Sequence, residues 1–269
     1  MAPPAAQPTP DPGWFHHFEP YGLFHAVAAG SCLLVMVAWC LAGRRLLARS
    51  VESERTFRYT IAWTMLAWQA FATVWRLLPS NFDLNESLPL HLCRLVGWAA
   101  PFALISQHRR LRSIVFFWGL GLSTQGFVTP MWDFGLASVD FWLYWVGHTM
   151  IVGTAVYAIA VHAWGPRFRD WGFAALWGMV YAGLVIPINL WLGTNYSYLG
   201  RGEYAASSVV DALGDWPERP LLMIAGAQAL MLALYWCAWG VRAHKRRKRS
   251  TWNIATSNGV ENPATCHPR

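Results

Sequence analysis

Seven apolar stretches, roughly 21–43, 59–78, 88–106, 114–132, 141–164, 173–194 and 221–241, constrain this chain more than any other feature. Each is long enough to cross about 30 Å of hydrocarbon as a helix. Every backbone N–H and C=O in lipid must find a partner inside the protein, so runs of this length fold as spanning helices. Gly, Ser or Pro interrupts all of them, which helix bundles tolerate, and small residues four apart such as Gly178 and Ala182 permit close helix approach. The expected fold is an all-α membrane protein, a bundle of seven transmembrane helices over residues 21–242.

The connections give the bundle a direction. Arg44, Arg45, Arg49, Arg55 and Arg58 lie between the first two stretches, Arg109, Arg110 and Arg112 between the third and fourth, and Arg167 and Arg169 between the fifth and sixth. Lys245, Arg246, Arg247, Lys248 and Arg249 follow the last stretch, whereas the opposite side holds only Arg201 and Arg219. Basic connections stay cytoplasmic, so the N-terminus is expected outside and the C-terminus in the cytoplasm. The net charge of +7 sits in these clusters, which reads as topology and contact with anionic lipid heads, not as nucleic-acid binding. Residues 1–20, Pro-rich and without Lys, Arg or a small-residue cleavage site, read as a flexible extramembrane arm, and 243–269 as a basic, then polar, disordered tail. The outside loop over about 195–220, with Tyr196, Tyr198, Tyr204 and Trp216, reads either as a lid or as an aromatic anchor at the headgroups.

Several functions are disfavoured. All fourteen Asp and Glu fall in loops, tails or helix ends, which argues against a proton-coupled transporter with a mid-membrane carboxylate. The seventh stretch has no lysine for a retinal Schiff base. Cys32, Cys40, Cys93, Cys237 and Cys266 form no CxxC pair, so neither a disulfide framework nor a zinc site is implied, and no metal or cofactor is expected.

With direction fixed, depth follows from the helical rise of 1.5 Å per residue. Cys93 then lies about 8 Å below the outer end of its helix and His148 about 10 Å below the end of its own. The same count places His25, Arg76, Gln125, Asn189 and Gln228 in the outer half, while the inner half is apolar apart from residues such as Gln69 and His162. A polar site open to the outer leaflet is the expectation.

Each member has a structural reading beside the chemical one. Cys93 alone reads as a small core residue; a neighbouring base makes it a nucleophile, and Gly97 and Ala100 on its face leave room for an acyl chain. His148, one turn after Tyr144, reads as an interhelical hydrogen-bond partner or as the base for Cys93. His91 lies about 200° from Cys93 on an ideal helix and shares its cavity only if the chain near Pro89 is irregular. Arg94 and Arg76 suit either a lipid phosphate or ion pairs with Asp83, Glu86, Asp133 or Asp140. Asn189, after Pro187, reads as support for a kink, and Gln125 and Gln228 as interhelical donors; Asn189 and Gln125 are also candidate substrate contacts.

Leu88-Pro89-Leu90-His91-Leu92-Cys93, His148, and Asn189 with Gly193-Thr194-Asn195-Tyr196-Ser197-Tyr198-Leu199 resemble the YwaF-type bacterial integral membrane proteins, relatives of the eukaryotic transmembrane protein 164 acyltransferases. The resemblance covers roughly residues 15–242. It implies a multi-pass protein of a bacterial cytoplasmic membrane that moves a fatty acyl chain between phospholipids, with Cys93 as nucleophile and His148 as its partner. A lipid hydrolase using the same pair, and a non-enzymatic binder or transporter of lipids or small amphiphiles, are the alternatives. Oligomeric state is left open.

Overall fold

A computed structural model of the chain describes residues 17–130, 134–202 and 213–257. Those residues form helices and their connections, with one isolated bridge between His17 and Phe134. The helices are α1 (Leu23–Arg49), α2 (Val51–Leu77), α3 (Leu84–Ser87), α4 (Leu92–Ser106), α5 (Arg109–Ile114), α6 (Gln125–Val128), α7 (Val139–Ala160), α8 (Phe168–Leu192) and α9 (Glu218–Ser257). A π-helical segment, Val115–Ser123, joins α5 to α6.

Among the described residues five segments are long and apolar enough to cross a membrane: α1, Leu84–Ser106, α7, α8 and Glu218–His244. The other two expected spans are helical but differ in kind. The helix α2 is 27 residues long with Glu52 and Glu54 in its first turn and Arg76 in its last, a distribution that suits the helix dipole. The fourth stretch is divided among α5, the π segment and α6.

The centre of the bundle is α7, of whose apolar window 61% is buried, against 11% for α9. It packs on α1, α4 and the π segment. Two proline-bearing helices flank the site: α4 contains Pro101, and α8 contains Pro187 and ends at Gly193, whose φ of 68° suits a residue without a side chain.

The ends depart from expectation. Residues 1–16 of the N-terminal arm lie outside the described residues, but Phe18 is 3% exposed and packs on Phe24, Phe141 and Trp145, so the arm is anchored at its inner end. The helix α9 continues to Ser257, past the expected start of a disordered tail at 243, because Ala, Lys and Arg keep helix propensity after the apolar pattern stops. Asp133, Tyr204 and Cys266 lie outside the described residues, as does the middle of the outside loop, 203–212, read as lid or aromatic anchor.

At the end rich in arginine, a buried polar network ties α2, α4, α5 and α7 together. Glu54 Oε1 accepts hydrogen bonds from Arg58 Nε at 3.1 Å, Tyr157 Oη at 2.9 Å and His162 Nε2 at 2.9 Å. Arg112 donates to His162 Nδ1 at 3.0 Å, so the imidazole proton is on Nε2. The Arg58 guanidinium also donates to the carbonyls of Leu104 and Ile105, which belong to the last turn of α4 and have no helical partner of their own. Glu54 and Arg58 are 2% and 7% exposed.

Candidate functional site

The helix α4 begins one turn later than the apolar pattern suggests. Pro89 has no N–H and disfavours helical dihedrals in the residue before it, and Leu88 is extended at φ −73°, ψ 142°. His91, at φ −65° and ψ 136°, is also extended. Leu88–His91 therefore joins α3 to α4 as irregular chain, and Cys93 stands in the first turn of α4. The irregularity resolves the 200° conflict: His91 and Cys93 both line one cavity of about 1590 Å³.

The Cys93 side chain lies beside the imidazole of His148 on α7 and the hydroxyl of Ser123 at the end of the π segment. His148 Nδ1 lies 2.8 Å from the carbonyl oxygen of Tyr144, one turn earlier. A carbonyl only accepts, so the ring donates from Nδ1 and its Nε2 holds a free lone pair. The base is thus oriented by its own helix. Tyr144 packs on the ring at 4.4 Å between centroids, and its hydroxyl donates to the Gly126 carbonyl at 2.8 Å. Gly126 must be small, since a Cβ there would stand 2.7 Å from Nε2 and Cδ2 of His148.

The wider π turn accounts for Ser123. Its hydroxyl donates to the carbonyl of Trp118, five residues back, at 3.1 Å, and remains beside Cys93. Gly97, one turn below Cys93, does not leave open space as expected; a Cβ there would collide with the amide nitrogen of Gln69, and Ala100 is fully buried. Gln69, expected among the inner-half residues, instead lines the cavity. Leu122, Ile151 and Met231 supply apolar wall below the polar groups.

Above the thiol lies a charged cluster. Glu86 accepts from Arg94 at 2.7 Å and also stands 3.7 Å from Arg76 and 3.3 Å from His91. Arg76 reaches Asp140 at 3.5 Å. Both arginines therefore have acidic neighbours while lining the cavity. His91 Nδ1 accepts from the Ser197 N–H at 3.3 Å, and its Nε2 donates to the Asn85 carbonyl at 3.0 Å.

Cys93, His148, Arg76, Gln125 and Gln228 reach the cavity from five helices, with His91 and Arg94 beside them. Gln228 also donates to the Ala175 carbonyl at 3.3 Å, as an interhelical tie. Asn189 and His25 are outside the lining. The Asn189 side chain is 7 positions from Tyr196 and holds its N–H and carbonyl at 2.8 and 3.0 Å, while its oxygen also accepts from Thr194 at 3.0 Å. This saturated amide closes the turn after α8, in line with the structural reading of Asn189. His25 accepts from the Tyr21 N–H at 3.0 Å and donates to the Phe127 carbonyl at 2.9 Å, fixing α1 to α6.

Sequence reasoning missed Ser123, Gly126 and Tyr181. The available signals were weak: a serine and a glycine in an apolar run, and a tyrosine within a spanning stretch. Tyr196 was visible only as an aromatic near a membrane surface; burial pushes its phenol above the ordinary range, so it stays a neutral donor, here to the Leu84 carbonyl.

Comparison with known proteins places this geometry. Residues 17–239 match the model of the TMEM164 family, a span that holds every element of the cavity wall. No curated protein and no solved structure matches the chain.

Proposed function

We propose an acyl-transfer function for this chain, which belongs to the TMEM164 family. It is an integral membrane protein whose reading here is a seven-span bundle, N-terminus outside, with its cavity open toward the outer leaflet. The observation that carries the proposal is the Cys93 thiol facing a His148 imidazole whose Nδ1–H is already committed to the Tyr144 carbonyl.

The chemistry follows from that arrangement. The thiol proton moves to His148 Nε2 as Sγ attacks the ester carbonyl of a phospholipid. The ester C–O bond breaks, the proton passes to the departing lysolipid oxygen, and a thioester remains on Cys93. An acceptor lysolipid hydroxyl then gives its proton to Nε2 and attacks the thioester, the C–S bond breaks, and the thiol is restored. Arg76, with ion pairs of 3.5 and 3.7 Å, and Arg94 and His91 hold the headgroup phosphate, while Gln125 contacts the glycerol region. The acyl chain lies along Leu122, Ile151 and Met231. The arginines at the opposite end face anionic cytoplasmic lipid heads.

Intact mass of the purified protein after incubation with a defined phospholipid tests the scheme. An acyl adduct is expected that neutral hydroxylamine removes and that Cys93→Ala never forms. Full acyl transfer by Cys93→Ala would overturn the mechanism; free fatty acid in place of remodelled phospholipid would identify a hydrolase; co-purifying lipid without adduct or turnover would identify a binding protein.

Gly126 offers a subtler check. Gly126→Ala forces the His148 ring to give way, because the new methyl would lie 2.7 Å from Nε2. A displacement of this kind is expected to lower the transfer rate by about 10²-fold. Transfer kinetics compared with thermal unfolding in the same detergent separates this effect from general destabilisation.

A further inference from the structure

We propose that Ser197 and Tyr181 are positioning residues for Cys93, holding the first turn of α4 so that the Cys93 N–H faces the oxygen of the carbonyl under attack. The inference rests on the acyl-transfer reading above and adds to it the group that stabilises the developing oxyanion.

The first turn of any helix has N–H groups without helical partners. In α4 most of them are taken. Arg94 and Leu95 both donate to the His91 carbonyl, at 3.0 and 3.2 Å. Leu92 donates at 2.9 Å to the hydroxyl of Ser197, 105 positions away in the α8–α9 connection. Among the described residues the Cys93 N–H has no partner. It belongs to the nucleophile itself, so a carbonyl carbon bonded to Sγ carries its oxygen close to that N–H.

The serine is held in turn. Tyr181 on α8 donates to the Leu90 carbonyl at 2.7 Å, and its oxygen is 2.5 Å from Ser197 Oγ. The tyrosine has one proton, which is on Leu90, so Ser197 donates to the Tyr181 oxygen and accepts from Leu92. This relay fixes the chain on both sides of His91. Ser197 and Tyr198 adopt left-handed dihedrals, φ 52° and 64°, which residues other than glycine rarely hold. Backbone strain at the residue that presents the cap is consistent with a turn shaped for that contact.

Two reactions of the same thiol separate positioning from simple packing. Alkylation by iodoacetamide develops no oxyanion; acyl transfer from a phospholipid does. In the full-length protein, Ser197→Ala is expected to lower kcat for transfer by about 10²-fold with KM little changed. The rate of Cys93 alkylation should stay within about threefold of wild type, and Ser197→Thr should restore kcat. Tyr181→Phe should give the same split if Ser197→Ala does not fold. Wild-type kcat in both variants overturns the proposal, as does a parallel fall of alkylation and transfer, which would mark the pair as packing only. Failure of the underlying reading has a different signature: transfer would survive Cys93→Ala.

Discussion

Replacing His148 with Gln is expected to reduce phospholipid acyl transfer by about 10²–10⁴-fold, the range that a positioned general base supplies. A glutamine side chain can still donate to the Tyr144 carbonyl, now 2.8 Å from the ring, but it offers the Cys93 thiol no basic lone pair. The loss should fall on formation of the acyl adduct, read as its rate of appearance by mass, while the thermal midpoint in detergent changes little. Turnover within tenfold of wild type would remove His148 from the mechanism.

The largest effect on stability is expected at the opposite end of the bundle. Arg58→Met would leave Glu54, 2% exposed, without its arginine and would orphan the Ile105 carbonyl, while that of Leu104 keeps only Gln107 Nε2 at 2.9 Å. Breaking a buried pair by removing one partner costs about 3–5 kcal/mol, and in a chain of this size that corresponds to a midpoint lower by roughly 10 °C. Arg55→Met, on the exposed face of the same helix, should change the midpoint by little. Equal effects of the two substitutions would refute the account. Glu54→Gln combined with Arg58→Met should recover part of the loss, since the stranded charge is then gone.

Much of the site was legible because depth is a one-dimensional quantity. Counting residues from the outer end of each apolar stretch puts Cys93 and His148 at similar levels, and the fold sets them side by side. The start of α4 was misjudged by one turn, although Pro89 carried the signal, because an apolar pattern does not distinguish helix from buried extended chain. Hydropathy also failed at Glu54 and Arg58. An acid and a base four apart at a helix end read as a solvated pair, and only the arrival of Tyr157 of α7 and His162 of the turn after it makes them interior. At Asn189 the structural reading was legible from Pro187, but not that its three side-chain hydrogen bonds are all made to the turn that follows it. Local saturation of this kind has no counterpart in spacing or composition.

The two polar regions at opposite ends of the bundle are separated by a dry waist. On α2, Ala62 and Met65 are 0% and 1% exposed; on α4, Ala100 is 0%; Phe117 of the π segment is 0%; and Ala155 of α7 is 2%. These residues stand between the groups around Cys93 and His148 and those around Glu54 and Arg58, and they pack as one cluster. Among the described residues the waist offers water only the Thr154 hydroxyl, which is already donated to the Met150 carbonyl at 2.8 Å. A membrane holding this protein can therefore carry a deep recess on one side while the packed waist keeps the bilayer sealed to protons and salt.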